Sequence, residues 1–331
     1  MKRLIAMLLA ALGLANTGVA AAASGDFGCS AWLTYWDADA ALMETAAFPE
    51  GFESLVCFEA YFDLNGDWLL PPESEALLAE MKKGGAPVYL SLVNDVQQAD
   101  GSFVQKSKDF LREQLLTPAA RSAHITKIMR LIKAYELDGL EIDYENFKKD
   151  TELWSAFTVF LKQLCAILSH NGVKLRVVME CQAPEYAVFP EGPIYSCMCY
   201  NLYGYHSGPG PKADIAFLEE LGESWKAVPG EVHMAFASGG FVWAGSKVDK
   251  ALTEKQAKNW LSEHDAEASR DSKSGALKAS VYDGRKYTLW YADGETLSVW
   301  RDTLRAMGYS HFDLFRLGEN TNDSLKAFLE A

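Results

Sequence analysis

Several common signatures are absent from this sequence. Its six histidines are scattered, with no HExxH or similar spacing, so the sequence carries no sign of a metal site and implies no cofactor. Neither GxGxxG nor GxxxxGK[ST] occurs, which removes the usual phosphate cradles; Gly208–Pro211, GPGP, reads as a loop. Positive charge is short, 31 Lys and Arg against 45 Asp and Glu. That balance argues against nucleic acid or anionic membranes as partners and gives no general help in gripping anionic polymers. There are no internal repeats and no long low-complexity linker. The six cysteines permit disulfides, but most lie inside apolar strand or helix patterns and read as buried thiols. Cys29 and Cys57 are the pair to check first. Cys197 and Cys199 share a strand face without a Cys or His cluster around them.

Beyond the first two dozen residues, the sequence reading finds no stretch long and apolar enough to span a bilayer. The start itself, MKRLIAMLLAALGLANTGVAAAAS, has a basic opening, an apolar run and then small residues. It predicts a bacterial-type secretory signal peptide over 1–23, cleaved around Ala21 to Ala23, rather than a membrane anchor, because Asn16 and Thr17 interrupt the run. Cys29 lies too far behind that run for a lipoprotein cysteine. The mature chain, 24–331, would be exported and free of the membrane, with 29 basic residues against 45 acidic ones and a formal charge of −16 instead of −14.

What the sequence does have is alternation. Eight β-rich runs begin near AWLTYW (Ala31–Trp36), LVCFEAYF (Leu55–Phe62), VYLSLV (Val88–Val93), LDGLEIDY (Leu137–Tyr144), LRVVME (Leu175–Glu180), SCMCYN (Ser196–Asn201), VHMAFA (Val232–Ala237) and HFDLFRL (His311–Leu317). Amphipathic helical patterns fall between them, several starting at Thr or Asp and stopping near Gly or Asn. This predicts an α/β fold, a single (β/α)8 TIM barrel, with an open doubly wound sheet as runner-up. A longer segment, about Phe241 to Gly294, holds a polar helix and a hairpin turning at Asp283-Gly284. It reads as a small α+β insertion between strands 7 and 8.

The fourth run, LDGLEIDYEN, places Glu141, Asp143 and Glu145 two residues apart with Leu140, Ile142 and Tyr144 between them. If the even residues faced the barrel axis, the three charges would lie beneath the helix layer, which is costly without partners. The acids therefore face inward and climb the axis, at about 7 Å per two residues, toward the C-terminal rim where such barrels build active sites. Three carboxylates so confined cannot all ionise freely, so one should hold a proton at neutral pH. A protonated Glu at a pocket rim suits a general acid acting on a glycosidic oxygen.

The segment Asp138-Gly139-x-Glu141-x-Asp143-x-Glu145 resembles the DGxxDxDxE signature of glycoside hydrolase family 18, with Glu141 where chitinases usually carry Asp. SLVND (Ser91–Asp95) stands where the family often has SxGG. MCYN (Met198–Asn201) is similar to its sixth-strand MxYD, with Asn201 in place of Asp. The tail from Leu289, with Trp290-Tyr291-x-Asp293 and FRLG from Phe315, looks like the spore-germination, cortex-fragment-lytic branch, although no LysM-like wall-binding repeat precedes the barrel. The resemblance implies substrate-assisted retaining hydrolysis next to N-acetylglucosamine. Glu145 would be the proton donor, Asp143 would hold the acetamido N–H, Tyr200 would bind the acetamido oxygen, Asn201 would orient, and Glu141 would set the charge on Asp143. The partner would be an oligo- or polysaccharide containing N-acetylglucosamine: peptidoglycan, chitin or an N-glycan.

Sugar rings have apolar faces, so aromatics should line the cleft. Strand position nominates Trp36, Tyr61, Trp243, Trp290 and Phe315, with Tyr203 as a loop contact beside Tyr205 and His206. The competing functions are an inactive chitinase-like lectin and an unrelated barrel whose acids hold a metal. Retention of Glu145, Asp143 and Tyr200 favours the hydrolase over the lectin. Oligomeric state is not legible.

Overall fold

The computed structural model describes residues 27–330, so the expected signal peptide lies outside the described residues. Eight parallel strands form the centre: β1 (Gly28–Thr34), β2 (Ser54–Phe62), β3 (Val88–Gln97), β4 (Gly139–Asp143), β5 (Lys174–Glu180), β6 (Ile194–Met198), β7 (Val232–Ala237) and β8 (His311–Phe315). Each pairs with the next, and β8 returns to β1 with Gly28 opposite His311, so the sheet closes. The (β/α)8 barrel read from the alternation is the fold that forms. Asp138-Gly139 has a local reason at the foot of β4. The Asp138 carboxylate accepts from the Val88 N–H at 2.8 Å, and any Cβ on Gly139 would meet the Tyr89 ring at 2.4 Å.

The outer layer consists of α1 (Ala38–Ala47), α2 (Pro72–Met81), α3 (Lys108–Leu115), α4 (Pro118–Tyr135), α5 (Thr151–His170), α6 (Ile215–Trp225), α8 (Gly294–Ala306) and α9 (Asn322–Leu329), with α7 (Glu254–Glu263) in the insertion. Ser107, Thr117, Asp150, Asp214, Thr253, Asp293 and Thr321 each cap a helix through a side-chain oxygen, satisfying donors that the first turn leaves open. One crossover departs from the expected pattern: β5 is followed by a 3-10 turn, Ala183–Glu185, and no longer helix before β6. A second expectation also needs correction. α5 is long and apolar enough, at mean hydropathy 1.2, to cross a membrane by length and composition. Here its Leu153, Phe157, Phe160, Leu164 and Leu168 face is buried in the barrel's outer core.

The insertion begins at Gly239, immediately after β7, as a five-stranded antiparallel sheet in the order 247–252, 239–244, 285–292, 277–283 and 269–270. Gly239 has φ of +63°, and a Cβ there would lie 2.3 Å from the Leu252 carbonyl oxygen, so only glycine allows the chain to leave the barrel at this angle. One sheet face packs Val242, Leu289 and Tyr291 against Ala257 and Trp260 of α7. The hairpin turns at Asp283-Gly284, where Gly284 has φ of +66°. All six cysteines are free, five of them buried. Cys29 and Cys57 make no disulfide; their thiols point to the backbone oxygens of Phe328 and Ser74.

Candidate active site

Inward residues of the strands divide the barrel interior into layers. Low in the barrel, Glu141 pairs in register with Arg176 of β5, and both are fully buried. Arg176 Nε donates to Glu141 Oε2 at 2.6 Å and Nη1 to Asp313 Oδ1 at 3.3 Å. Trp32 Nε1 donates to the other Glu141 oxygen at 2.7 Å, and the guanidinium lies 4.9 Å from the Trp32 ring. Ser196 and His233 complete the shell of Asp313. Burial notwithstanding, Arg176 and His233 hold the Asp313 carboxyl far below its ordinary range. Glu141 thus sits beneath the cleft with both oxygens engaged.

Above this layer opens a cleft of about 940 Å³ at the C-terminal ends of the strands. Its floor is aromatic. Trp32, Phe58, Tyr200 and Phe315 meet there, with Phe315 5.9 Å from both Trp32 and Phe58 and stacked at 6.2 Å on Tyr200. Asp143 ends β4 inside this cleft, and Glu145 follows just past the strand end, which puts it on the rim. Burial raises the Asp143 carboxyl well above the usual range; the Glu145 and Glu141 charges add to it, and Lys106 offsets part. No side-chain hydrogen bond holds Asp143 among the described residues, and its Oδ1 is buried without a partner. Burial likewise raises the Tyr200 phenol, with Asp143 the next cause.

Glu145 is positioned from the backbone. Asn94, at the end of β3, accepts from the Glu145 N–H at 2.9 Å and donates to the Glu145 carbonyl at 3.0 Å. The Glu145 carboxylate meets Lys106 Nζ at 2.5 Å. Burial works against the Lys106 ammonium, but Glu145, Asp143 and Asp95 more than offset it, so its pKa is raised. A second acidic pair stands on the same side: burial, then Asp95, pushes the Glu59 carboxyl up to about 7, and burial also raises Asp95.

Of the residues nominated from the sequence, Asp143, Glu145, Tyr200, Asn201, Trp36 and Phe315 line this cleft, and four nominated aromatics do not. Tyr61 packs edge-on against Phe103 at 4.8 Å, beyond the cleft wall. Trp243 is fully buried behind Phe241, which takes the cleft position two residues earlier. Trp290 lies opposite Phe241 in the insertion sheet with Lys278 Nζ 5.1 Å over its ring. Tyr203 packs its ring against Gly210 within its own loop. Residues missed at the cleft were Trp32, Phe58, Glu59, Asn94, Lys106 and Lys212. Trp32 was accessible by alternation along β1. Phe58 and Glu59 lie inside β2 where its pairing with β3 shifts register between Cys57 and Ala60, so alternation fails there. Asn94 lies just past the run read as Val88–Val93, and Lys106 and Lys212 lie in loops, where periodicity says nothing.

A metal is a separate question. Glu53, His233 and His311 bring ligand atoms within 4.8 Å of one another at the opposite, N-terminal end of the barrel. Both His233 ring nitrogens already meet carboxylates, Nδ1 on Asp313 at 2.9 Å and Nε2 on Glu231 at 3.0 Å. Burial opposes the imidazolium, yet these acids carry its pKa up to about 9, so the ring offers a metal no lone pair at neutral pH.

No protein-family model matches the sequence, and no curated protein matches it. Solved structures do. A chitinase from Chromobacterium violaceum superposes with a TM-score of 0.75 at 18% identity, over 91% of this chain and 98% of that one. The Bacillus cereus spore cortex-lytic enzyme SleL superposes at 0.76 and 16%, over 92% and 74%. A class V chitinase from Nicotiana tobaccum, solved in complex with NAG4, gives 0.73 and 13%, over 91% and 99%. The fold is that of the chitinase barrels. At such identities the likeness concerns the fold, and the chemistry of this chitinase-type barrel rests on its own residues.

Proposed function

We propose that this protein is an exported retaining glycoside hydrolase of the family 18 type, cleaving β-1,4 bonds beside N-acetylglucosamine with the substrate's acetamido group as nucleophile. One observation carries the reading. Asp143, half-buried and held by no hydrogen bond, shares the cleft with the rim carboxylate Glu145, whose charge acts on it, and the Tyr200 phenol, which feels its charge, over an aromatic floor. A buried acceptor without a partner costs about 1–3 kcal/mol, which an acetamido N–H would recover on binding.

Asp143 and Glu145 share one proton between them. With Lys106 on Glu145, that proton rests on Asp143. A glycosidic oxygen arriving beside Glu145 displaces the ammonium, the proton passes from Asp143 to Glu145, and Glu145 delivers it to the leaving oxygen, leaving Asp143 ionised. The acetamido oxygen closes on the anomeric carbon, Asp143 takes the N–H, and Tyr200 donates to the acetamido group. Water later opens the cyclised intermediate with Glu145 as base. Trp36 and Phe315 supply apolar faces for sugar rings. Glu141 contributes from below, through its charge and its hold on Trp32.

The test is hydrolysis of chitooligosaccharides by wild type, Glu145→Gln and Asp143→Asn. Either substitution should cost at least 100-fold in kcat while binding persists. Equal turnover by wild type and Glu145→Gln would sink the mechanism. Binding by wild type without turnover of any chitooligosaccharide, peptidoglycan fragment or high-mannose glycopeptide would make the protein a lectin. An N-acetylglucosamine thiazoline, which mimics the cyclised intermediate, should inhibit competitively.

A further inference from the structure

The cleft is electrically lopsided. Its acids, Glu59, Asp95, Asp143, Glu145 and Glu180, stand on or just past β2 to β5. Its other side, from β6 to β8, carries Lys212 and Arg316. Three cations line the cleft in all, and two have acid partners: Lys106 has Glu145, and Arg316 has Asp37 at 2.5 Å. Lys212 has none within 4.0 Å among the described residues. Its Nζ donates to the Ser238 carbonyl at 2.7 Å and lies 5.4 Å from the centroid of the Phe241 ring. An ammonium has three N–H groups, so the carbonyl leaves two unspent.

The loop that carries Lys212 is built to hold it there. The Leu202 N–H bonds to the Lys212 carbonyl at 2.9 Å, which closes the loop. Within it, the Gly204 N–H donates to Ser207 Oγ at 2.9 Å, and Tyr203 packs on Gly210 so closely that a Cβ would lie 2.2 Å from its ring. A charge of this kind, against an apolar ring and near a second cation, is placed at a cost: burial, then Arg316, brings the ammonium down to about 7. An anion arriving beside it would remove that cost. In a chain with a formal charge of −14, an uncompensated cation fixed in the cleft is a local exception to the overall field.

We propose that Lys212, backed by Arg316, forms a subsite for a carboxylate carried on one sugar of the glycan, so that the cleft selects acidic over neutral N-acetylglucosamine polymers. This rests on the hydrolase reading above for the class of polymer but concerns a different wall of the cleft. A single ammonium beside an Arg already engaged by Asp37 suits one negative charge rather than a dianion. The carboxylate can belong to a 3-O-lactyl ether, as in muramyl sugars, or to a hexuronate.

The experiment compares three tetrasaccharides of N-acetylglucosamine: unsubstituted, alternating with a 3-O-lactyl sugar, and alternating with glucuronate. A fourth substrate is the lactyl compound with its carboxyl amidated. Binding is measured by calorimetry in the Glu145→Gln background, and kcat/KM in the active enzyme, for Lys212, Lys212→Met and Lys212→Arg. Lys212→Met should lower the ratio of acidic to neutral substrate about tenfold in both readouts, and Lys212→Arg should keep most of it. Amidation should abolish the difference between Lys212 and Lys212→Met. Whichever acidic substrate shows the effect identifies the source of the carboxylate. An unchanged ratio in Lys212→Met, with the variant folded by thermal melting, would overturn the proposal, as would equal loss on neutral and acidic substrates. Because the binding arm needs no turnover, lack of hydrolysis by the active enzyme would count against the hydrolase reading and leave the subsite result standing.

Discussion

Replacing Lys106 with Met tests the division of labour between Asp143 and Glu145 most directly. The ammonium lies 2.5 Å from Glu145 Oε1, and the side chains are 50% and 17% exposed. Two unit charges about 4 Å apart interact by about 4 kcal/mol at an effective dielectric near 20. Half-exposure of the lysine and screening by salt cut that to roughly 1–2 kcal/mol, or about one pH unit. The sign follows from what the cation does: it stabilises the ionised carboxylates, so its removal lets the acid pair keep its proton to higher pH. The basic limb of the kcat/KM profile on a chitooligosaccharide should therefore move up by about one unit in Lys106→Met and stay in place in Lys106→Arg. High salt should reproduce part of the shift in the wild type. A basic limb that stays put or moves down in Lys106→Met would refute the shared-proton scheme, because then no proton on this acid pair governs the rate.

Other outcomes follow from the layers beneath. Arg176→Met leaves Glu141 and Asp313 buried without their cation, which should cost about 3–5 kcal/mol and lower the melting temperature by roughly 6–15 °C. His233 is raised in the folded state to about 9 from an ordinary value of 6.5. Its contribution, at most about 3 kcal/mol, is fully present below pH 6.5 and lost as pH rises through 9. Thermal melting between pH 6 and 10 should show that decline and lose it in His233→Gln. Asn94→Ala removes both bonds that fix the Glu145 backbone and should reduce kcat by about 10- to 100-fold with little change in KM, read by steady-state kinetics.

The barrel was legible because β-rich runs alternate with amphipathic helical patterns, and seven helices open on a residue whose side chain caps them. Legibility failed where the chain left periodic structure. After β5 the residues from Gln182 to Pro193 make only a 3-10 turn, and nothing in their composition separates a short crossover from a helical one. The insertion sheet shows a subtler failure. Phe241 and Trp243 lie on one face of the same strand, as alternation requires, yet one lines the cleft and the other is fully covered. Period fixes the face; distance along the strand from the barrel mouth decides exposure, and that depends on where Gly239 turns the chain.

The acidic strand shows the same limit in its chemistry. Alternation correctly places Glu141, Asp143 and Glu145 on one inward face, but it cannot say that they differ, because the differences come from other strands. Glu141 is neutralised by Arg176, a lone cation in the inward half of LRVVME that could have been noticed as its partner. Glu145 meets Lys106, from a loop 39 residues earlier. Asp143 lies between these two ion pairs and receives neither cation directly, so burial and its neighbours' charges act on it least opposed. A protonatable group at the centre of the cleft is thus produced by subtraction: the flanking acids take the available cations, and the one left over is the one whose proton can move.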